Sequence, residues 1–214
     1  MGWSMPDESE KFSLQKMQEN FDISRVSLGG PIFDVEKLNW LNGLWIREDL
    51  SAQDLAGRLQ SWMLNNDKLA EVLPHAQKRI NTFSDFIPMV SFLAAGMLPL
   101  NEASFADVKL EQEQLKKVLQ FALWRMEALR TWERDEIFNS LKELSGQMDI
   151  KLKDFLSPLF IAIAGTTSSF SVMDSMTMLG PDMSRARLRH ALNVFDGFGK
   201  KALKKIEKEY SALT

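Results

Sequence analysis

The chain holds almost none of the cysteine and histidine side chains that many enzymes use as nucleophiles, bases or metal ligands. It has no cysteine and only two histidines, His75 and His190. This excludes thiol chemistry, disulfides, cysteine zinc sites and iron–sulfur clusters, and leaves almost no material for a histidine metal site. No Gly-x-Ser-x-Gly elbow accompanies either histidine, and a nucleophile needs a base beside it. The paired carboxylates Asp135 and Glu136 are typical of a solvated helix surface, so the residues predict no active site in this chain.

Phosphate-binding glycine loops are missing from the sequence as well. Gly29-Gly30-Pro31 lacks the spacing and the lysine of a P-loop, and no strand precedes it. The simplest interpretation of this motif is a tight turn, and we expect no cofactor and no metal ion in this chain.

Basic residues are concentrated near the C-terminus. Between Arg185 and Lys208 eight cations face only two acidic residues, so this stretch carries +6 in a chain whose net charge is −3. The cations are Arg185, Arg187, Arg189, Lys200, Lys201, Lys204, Lys205 and Lys208. Such a patch can contact phosphates. The alternative is a solvated helix face with its cations near the helix C-terminus, which the helix dipole favours.

The elements that must position these side chains are helices. Apolar residues recur at helical spacing, as in the stripe of the 111–130 segment, and no convincing alternating strand pattern is present. The predicted helices are 13–21, 34–43, 51–65, 67–73, 82–93, 111–130, 132–144, 152–164, 172–179, 185–195 and 200–212. The residues expected to begin helices as N-caps are Ser13, Asp34, Ser51, Thr82 or Ser84, Thr131 and Ser184. The residues expected to end helices are Gly43, Pro74, Gly146 and Gly180. The fold class expected is all-α, with boundaries near residues 49–50 and 98–107. The tryptophans and the 12 methionines mostly fall in phase with apolar residues and are interpreted as core.

Length and composition bound the remaining possibilities. The 214 residues, 45% hydrophobic and 26% charged, fit one large or two small globular domains. A pI near 5.5 argues against a general nucleic-acid coat, so RNA binding would need a local basic patch. The longest apolar run, 155–165, is too short to span a bilayer, and a cytoplasmic location is expected. The first residues look like the exit from a packed element, so we expect a piece of a longer protein.

Several irregular motifs in the first fifty residues carry a family resemblance. They are Met1-Gly2-Trp3-Ser4-Met5-Pro6-Asp7, Val26-Ser27-Leu28-Gly29-Gly30-Pro31, Phe33-Asp34, Glu36-Lys37-Leu38, Trp40 and Asn42-Gly43. In order and spacing they resemble the segment that follows the KMSKS loop in bacterial glutamyl-tRNA synthetases. Within that family they resemble the gammaproteobacterial enzymes. Further on, 158–165 and Leu179-Gly180 resemble the closing helices of the same family's anticodon-binding region more loosely.

The resemblance implies the C-terminal part of a class I synthetase. The full enzyme of that family joins glutamate to its tRNA with ATP and magnesium through HIGH and KMSKS motifs, which this sequence lacks, so the chain alone is expected to be inactive. By the same resemblance, residues 1–50 correspond to a helical stem-contact segment. Residues 51–105 and 106–214 correspond to two small helical anticodon-binding subdomains. The partner implied is tRNA(Glu), with no DNA, no membrane and a monomeric state.

The resemblance also implies particular contacts. The segment 78–83 matches a family stretch whose arginine checks the third anticodon base; Arg79 occupies that place and Thr82 lies beside it. A guanidinium fork offers donors in a fixed plane to a base acceptor. The loop from Thr166 to Phe170, with Val172, matches the family's second anticodon-contacting loop, and its expected contacts are Thr166, Thr167 and Val172. Where many members have arginine this chain has Phe160, which either stacks on a splayed base or belongs to the core. Lys200, Lys201, Lys204 and Lys205 are the expected phosphate contacts.

Two other kinds of function compete with this interpretation. The first is a helical protein-interaction module whose basic tail is merely solvated and has no RNA role. The second is a self-contained enzyme, for which no acid–base or nucleophilic set is found.

Overall fold

A computed structural model describes residues 2–30, 33–63, 65–166 and 169–213. In these residues every regular element is helical and no β-strand occurs, which confirms the all-α expectation. The chain forms two compact units, Met1–Asn65 and Asn66–Thr214. The division into a stem-contact segment and two anticodon-binding subdomains, with boundaries near residues 50 and 105, stays a prediction.

The first unit contains three α-helices that begin where the sequence predicts. They are α1 Leu14–Asn20, α2 Val35–Leu44 and α3 Ala52–Met63, with a 3-10 turn Ile23–Arg25 and a π-helical turn Trp45–Asp49. The side chains of Ser13, Asp34 and Ser51 accept the backbone N–H groups of Lys16, Lys37 and Asp54 respectively. Each thereby satisfies a donor that the first helical turn leaves without a partner.

Gly43 does not end α2, contrary to the expectation. The helix continues because the N–H of Trp45 donates to the carbonyls of Leu41 and Asn42. A Cβ at position 43 would lie 2.7 Å from Nη1 of Arg47. This glycine therefore makes room for the arginine side chain in the π-helical turn and does not cap the helix.

The second unit holds the main hydrophobic core. Its helices are α4 Asn66–Ala76, α5 Phe86–Val90, α6 Gln112–Ala128, α7 Arg134–Gln147, α8 Leu152–Ala164, α9 Val172–Val194 and α10 Lys200–Ser211, with 3-10 turns Phe83–Asp85, Ser91–Leu93 and Glu102–Phe105. The predicted stripe of α6 is buried at Leu115, Val118, Leu119, Ala122 and Met126. It packs with α7, α8 and α9 around a single core.

Several predicted helix boundaries in this unit differ from the observed ones. Pro74 lies inside α4, because Gln77 N–H donates to the Leu73 carbonyl at 2.9 Å and the ladder resumes. α7 starts after Glu133 instead of Thr131 and passes through Gly146. Segment 83–93 is a short α-helix between two 3-10 turns.

The predicted break at Gly180 lies inside α9, which kinks there. That glycine has φ 77° and ψ 171°, a backbone that residues with a Cβ rarely adopt. The predicted break is therefore confirmed, but the helix resumes at Pro181, where a proline needs no N–H partner. Ser184 is not a cap: it is buried, and its hydroxyl donates to the Met176 carbonyl at 3.3 Å.

Candidate nucleic-acid interface

Arg79 and Phe170 meet, although 90 residues of sequence separate them. Arg79 is exposed in the turn that closes α4, where its N–H donates to the Ala76 carbonyl at 2.8 Å. Its guanidinium carbon lies 5.4 Å from the centroid of the Phe170 ring, a cation–π geometry. The two segments that the sequence singled out therefore lie side by side in the second unit, with a charged fork at the surface.

Phe170 is a fixed support for this arginine. Its side chain is fully buried, and its ring meets the rings of Phe92 at 6.2 Å and His75 at 5.9 Å in edge-to-face orientation. The hydroxyl of Ser169 donates to the Met89 carbonyl at 3.3 Å. These contacts pin the end of segment 165–170 against α4 and the helical turns of 83–93.

A buried carboxylate follows directly after this support. Asp174 accepts hydrogen bonds from the Ser171 hydroxyl at 2.6 Å and from Nε of Arg134 at 2.9 Å. Nδ1 of His75 lies 3.8 Å from its Oδ2. Burial alone would raise the pKa of Asp174, but the hydrogen bonds from Ser171 and Arg134 and the charges of His75 and Arg134 hold it below its ordinary value. Asp174 thus stays ionised and ties α7 to the start of α9.

Arg187 is a second buried charged residue near segment 165–170. Only 1% of this side chain is exposed, and its guanidinium donates to three backbone carbonyls, those of Phe92 (2.5 Å), Gly96 (2.6 Å) and Ile163. Burial lowers its pKa to about 10, so it remains charged at neutral pH. Ile163 lies in the last turn of α8, where carbonyls lack helical partners. Arg187 therefore ties segment 92–96 to the helix end that leads into 165–170.

A short hydrogen-bonded turn follows Arg79. The Asp85 carboxylate accepts the N–H groups of Asn81 at 2.8 Å and Thr82 at 2.9 Å. These bonds, with the Thr82 backbone bond first, lower the pKa of Asp85. The hydroxyl groups of Thr82 and Ser84 lie 2.7 Å apart. Thr82 is exposed at this turn, close in sequence to Arg79.

The remaining residues expected near the anticodon occupy different environments. Thr166 is exposed after Gly165, whose φ of 73° ends α8. Thr167 lies outside the described residues. Val172 is fully buried at the start of α9, so its side chain faces the core, and its role as an anticodon contact stays a prediction. Phe160 is half-buried and packs against the main core.

The basic stretch does not act as one patch. Besides Arg187, Arg185 donates to the Met126 carbonyl at 2.9 Å and lies over the Trp132 ring, and Arg189 pairs with Glu127. The three arginines are therefore engaged in contacts within the fold. The lysines at 200, 201, 204 and 205 are exposed on α10, and none forms an ion pair with an acidic side chain that the structure describes.

The position of these lysines on α10 bears on the solvated-face alternative. Lys200 and Lys201 occupy the first turn, which contains no acidic residue. The helix dipole disfavours cations at this end, so they do not stabilise α10 as the alternative supposes. α10 packs on α6 through Tyr210, whose ring lies 5.2 Å from those of Phe121 and Trp124. Within the described residues no contact joins these lysines to Arg79.

Comparison with known proteins identifies the region that carries this arrangement. A family model described as an anticodon binding domain matches residues 54–192, about two thirds of the chain. This chain belongs to the anticodon binding domain family. The match includes Arg79, Phe170 and Arg187, and it excludes α10.

Similarity extends over the whole chain. The sequence is 64% identical over 214 residues to a glutamate–tRNA ligase of Saccharophagus degradans and 62% identical to one of Cellvibrio japonicus. Both matches cover 100% of this chain and 42% of the relative, so the chain spans under half the length of these proteins. Both relatives are gammaproteobacterial and the match is to their C-terminal part, which confirms the resemblance found in the sequence.

A solved structure shows the same fold at low identity. It is the crystal structure of a glutamate tRNA ligase from Elizabethkingia meningosepticum in complex with its amino acid. The match has a TM-score of 0.55 and 19% identity, and it covers 90% of this chain and 39% of the other. This likeness shows a shared fold and nothing finer.

Two features of this anticodon-binding domain were missed in the sequence. The first is the burial of Arg187. In the sequence this residue belongs to the basic stretch, and an arginine in a polar helix cannot be distinguished from a surface residue until its carbonyl partners are known. Phe83 is the last residue of the family-like segment 78–83, and it is 96% exposed. The sequence does contain a signal for this exposure. Phe83 follows Arg79 by four positions and directly precedes Ser84-Asp85, which favour a turn.

In the described residues, no group of three or more His, Asp or Glu side chains is placed to hold a metal ion. None of the described helices is long and apolar enough to cross a membrane.

Proposed function

We propose that this chain binds the anticodon arm of tRNA(Glu) as the RNA-recognition part of a glutamate–tRNA ligase. The observation that carries the proposal is the Arg79 guanidinium over Phe170, 5.4 Å from its ring centroid, inside the region that matches the anticodon binding domain. The names of the relatives supply the amino acid and the tRNA. In this proposal Arg79 reads the third anticodon base, because the residue is exposed and its guanidinium is held over the Phe170 ring.

The other expected contacts keep the roles that the resemblance implies. Thr82 and Thr166, both exposed, supply polar contacts to the anticodon loop together with Thr167, and the exposed Lys200, Lys201, Lys204 and Lys205 contact phosphates. Phe160, half-buried on α8, contributes to the core that supports segment 165–170. Residues 1–50 contact the stem, and residues 51–105 and 106–214 are the two anticodon-binding subdomains.

The chemistry belongs to the longer protein. In it, ATP and magnesium support attachment of glutamate to the tRNA in the cytoplasm, and the protein acts as a monomer on tRNA without DNA or membrane partners. The 214-residue chain alone is inactive. Measurable ATP–pyrophosphate exchange by the purified chain, with glutamate and tRNA supplied, would disprove this part.

A binding titration tests the proposed function. Fluorescence anisotropy with labelled tRNA(Glu) at 50 to 300 mM salt should show binding that weakens steeply with salt, because cations that neutralise phosphates release counterions. An unrelated tRNA with a different anticodon is the control and should bind more weakly at every salt concentration. Absence of tRNA binding even at the lowest salt would favour the protein-interaction module instead.

A further inference from the structure

Phe83 is the most exposed aromatic side chain in the described part of the chain. It is 96% exposed, whereas the next, Phe33, is 60% exposed. Leaving a phenylalanine in water forgoes the free energy that its burial would supply. Single exposed apolar residues are nevertheless common, so exposure alone assigns no function.

The turn that carries Phe83 holds it outward. Phe83 is the first residue of the 3-10 turn Phe83–Asp85. The hydrogen bonds of Asp85 to the N–H groups of Asn81 and Thr82 fix the backbone just before it. The ring is therefore presented by a defined turn next to Arg79 and not by a loose chain end.

The surroundings of Phe83 favour a polyanion as its partner. Lys78 and Arg79 are exposed, and the only acidic residue of 75–85 in the sequence, Asp85, already accepts two backbone N–H groups. Four residues separate Phe83 from Arg79, so their Cα atoms are no more than about 14 Å apart. That distance spans a few nucleotides of a single-stranded loop.

We propose that Phe83 is a stacking platform for an unpaired nucleobase of the anticodon loop, beside the base that Arg79 reads. The inference rests on the proposed function and adds a second, chemically different contact to it. A phenylalanine ring carries no hydrogen-bonding group, so the platform accepts any base through its π-face. Arg79 thus supplies base identity, and Phe83 supplies affinity that does not depend on it.

The test combines three substitutions of Phe83 with tRNA(Glu) in which one anticodon-loop nucleotide at a time is made abasic. Phe83→Ala should weaken binding of the intact tRNA roughly 5- to 150-fold, the range for loss of one stacked base. Phe83→Trp should retain or increase affinity, and Phe83→Leu, similarly apolar but not aromatic, should lose most of it. The loss caused by Phe83→Ala should disappear on the tRNA that lacks the stacked base and persist on the others.

The matched control is Met97→Ala, another half-exposed apolar side chain of the same unit, which should leave affinity unchanged. Thermal unfolding of each variant, expected to match the wild type since Phe83 makes little contact, separates loss of binding from loss of fold. If the wild type binds tRNA with the expected salt dependence but Phe83→Ala binds equally well, the stacking platform is wrong and the proposed function stands. If Phe83→Leu keeps full affinity, or no abasic position suppresses the effect of Phe83→Ala, the contact is not stacking. If the wild type binds no tRNA, both proposals fail.

Discussion

The guanidinium of Arg187 donates to the carbonyl of Gly96 through two nitrogens, Nε at 2.9 Å and Nη2 at 2.6 Å. The same group also satisfies the carbonyls of Phe92 and Ile163. Burying a charged side chain costs free energy unless polar groups pair with it. The backbone around Arg187 is therefore held where its three carbonyls can accept hydrogen bonds from the guanidinium. Here that backbone leads into segment 165–170, which supports Arg79.

Replacing Arg187 should be strongly destabilising. Arg187→Ala leaves three carbonyls without their donor and a cavity behind them, so a loss of at least ~3 kcal/mol in the free energy of unfolding is expected. Urea denaturation measures it. Arg130→Ala, at an exposed position, is the control and should change stability by less than about 0.5 kcal/mol. Equal urea midpoints for the two variants would show that Arg187 does not carry this role.

The lysines of α10 should act through phosphates. Changing Lys200, Lys201, Lys204 and Lys205 to glutamine should weaken binding of every tRNA by a similar factor. The slope of log affinity against log salt should become shallower by about 3, since each phosphate contact contributes ~0.7–0.9. Lys151→Gln with Lys153→Gln, exposed lysines outside the basic stretch, controls for overall charge. An unchanged slope in the fourfold variant would mean that α10 faces away from RNA.

The turn beside Arg79 should loosen in acid. The pKa of Asp85 is lowered from 3.8 by the N–H groups of Thr82 and Asn81 and the Thr82 side chain. Its stabilising effect is therefore complete above the unfolded pKa and is lost as pH falls through the lower folded value. Amide resonances of Asn81 and Thr82 should titrate with a midpoint below 3.8, and Asp85→Asn should abolish that transition. A midpoint at or above the ordinary value would contradict the hydrogen bonding seen here.

Local features of this fold could be read from the sequence, and long-range ones could not. Ser13, Asp34 and Ser51 cap their helices as predicted, because a cap depends on the next three residues. The α6 stripe is buried as predicted, because the helical spacing of its apolar residues is also a local pattern. Gly43 and Gly146 mislead, because a glycine inside a helix costs only about 1 kcal/mol when the surrounding ladder continues.

The candidate site shows the same division. Arg79 and the 166–172 segment could be named from a family resemblance, but their meeting depends on Phe170, which is 91 positions further along the chain than Arg79. Val172 is adjacent to the exposed segment in sequence and yet buried, because helix α9 turns its side chain into the core. Arg187 reaches carbonyls 91 and 95 residues away, a relationship that no local pattern contains.

The central claim is that Arg79 reads the third anticodon base, and one comparison tests it most directly. In the full-length ligase, kcat/KM should be measured for tRNA(Glu) and for the same tRNA altered only at that base, with wild type and Arg79→Gln. Loss of a bidentate base contact is worth about 1–3 kcal/mol, so the preference of the wild type should fall by roughly one to two decades. The free energy of unfolding should fall by no more than about 1 kcal/mol, the usual loss for a cation–π contact at an exposed site. Full preference in the Arg79→Gln enzyme, or equal loss on both tRNAs as for a phosphate contact, would contradict the account.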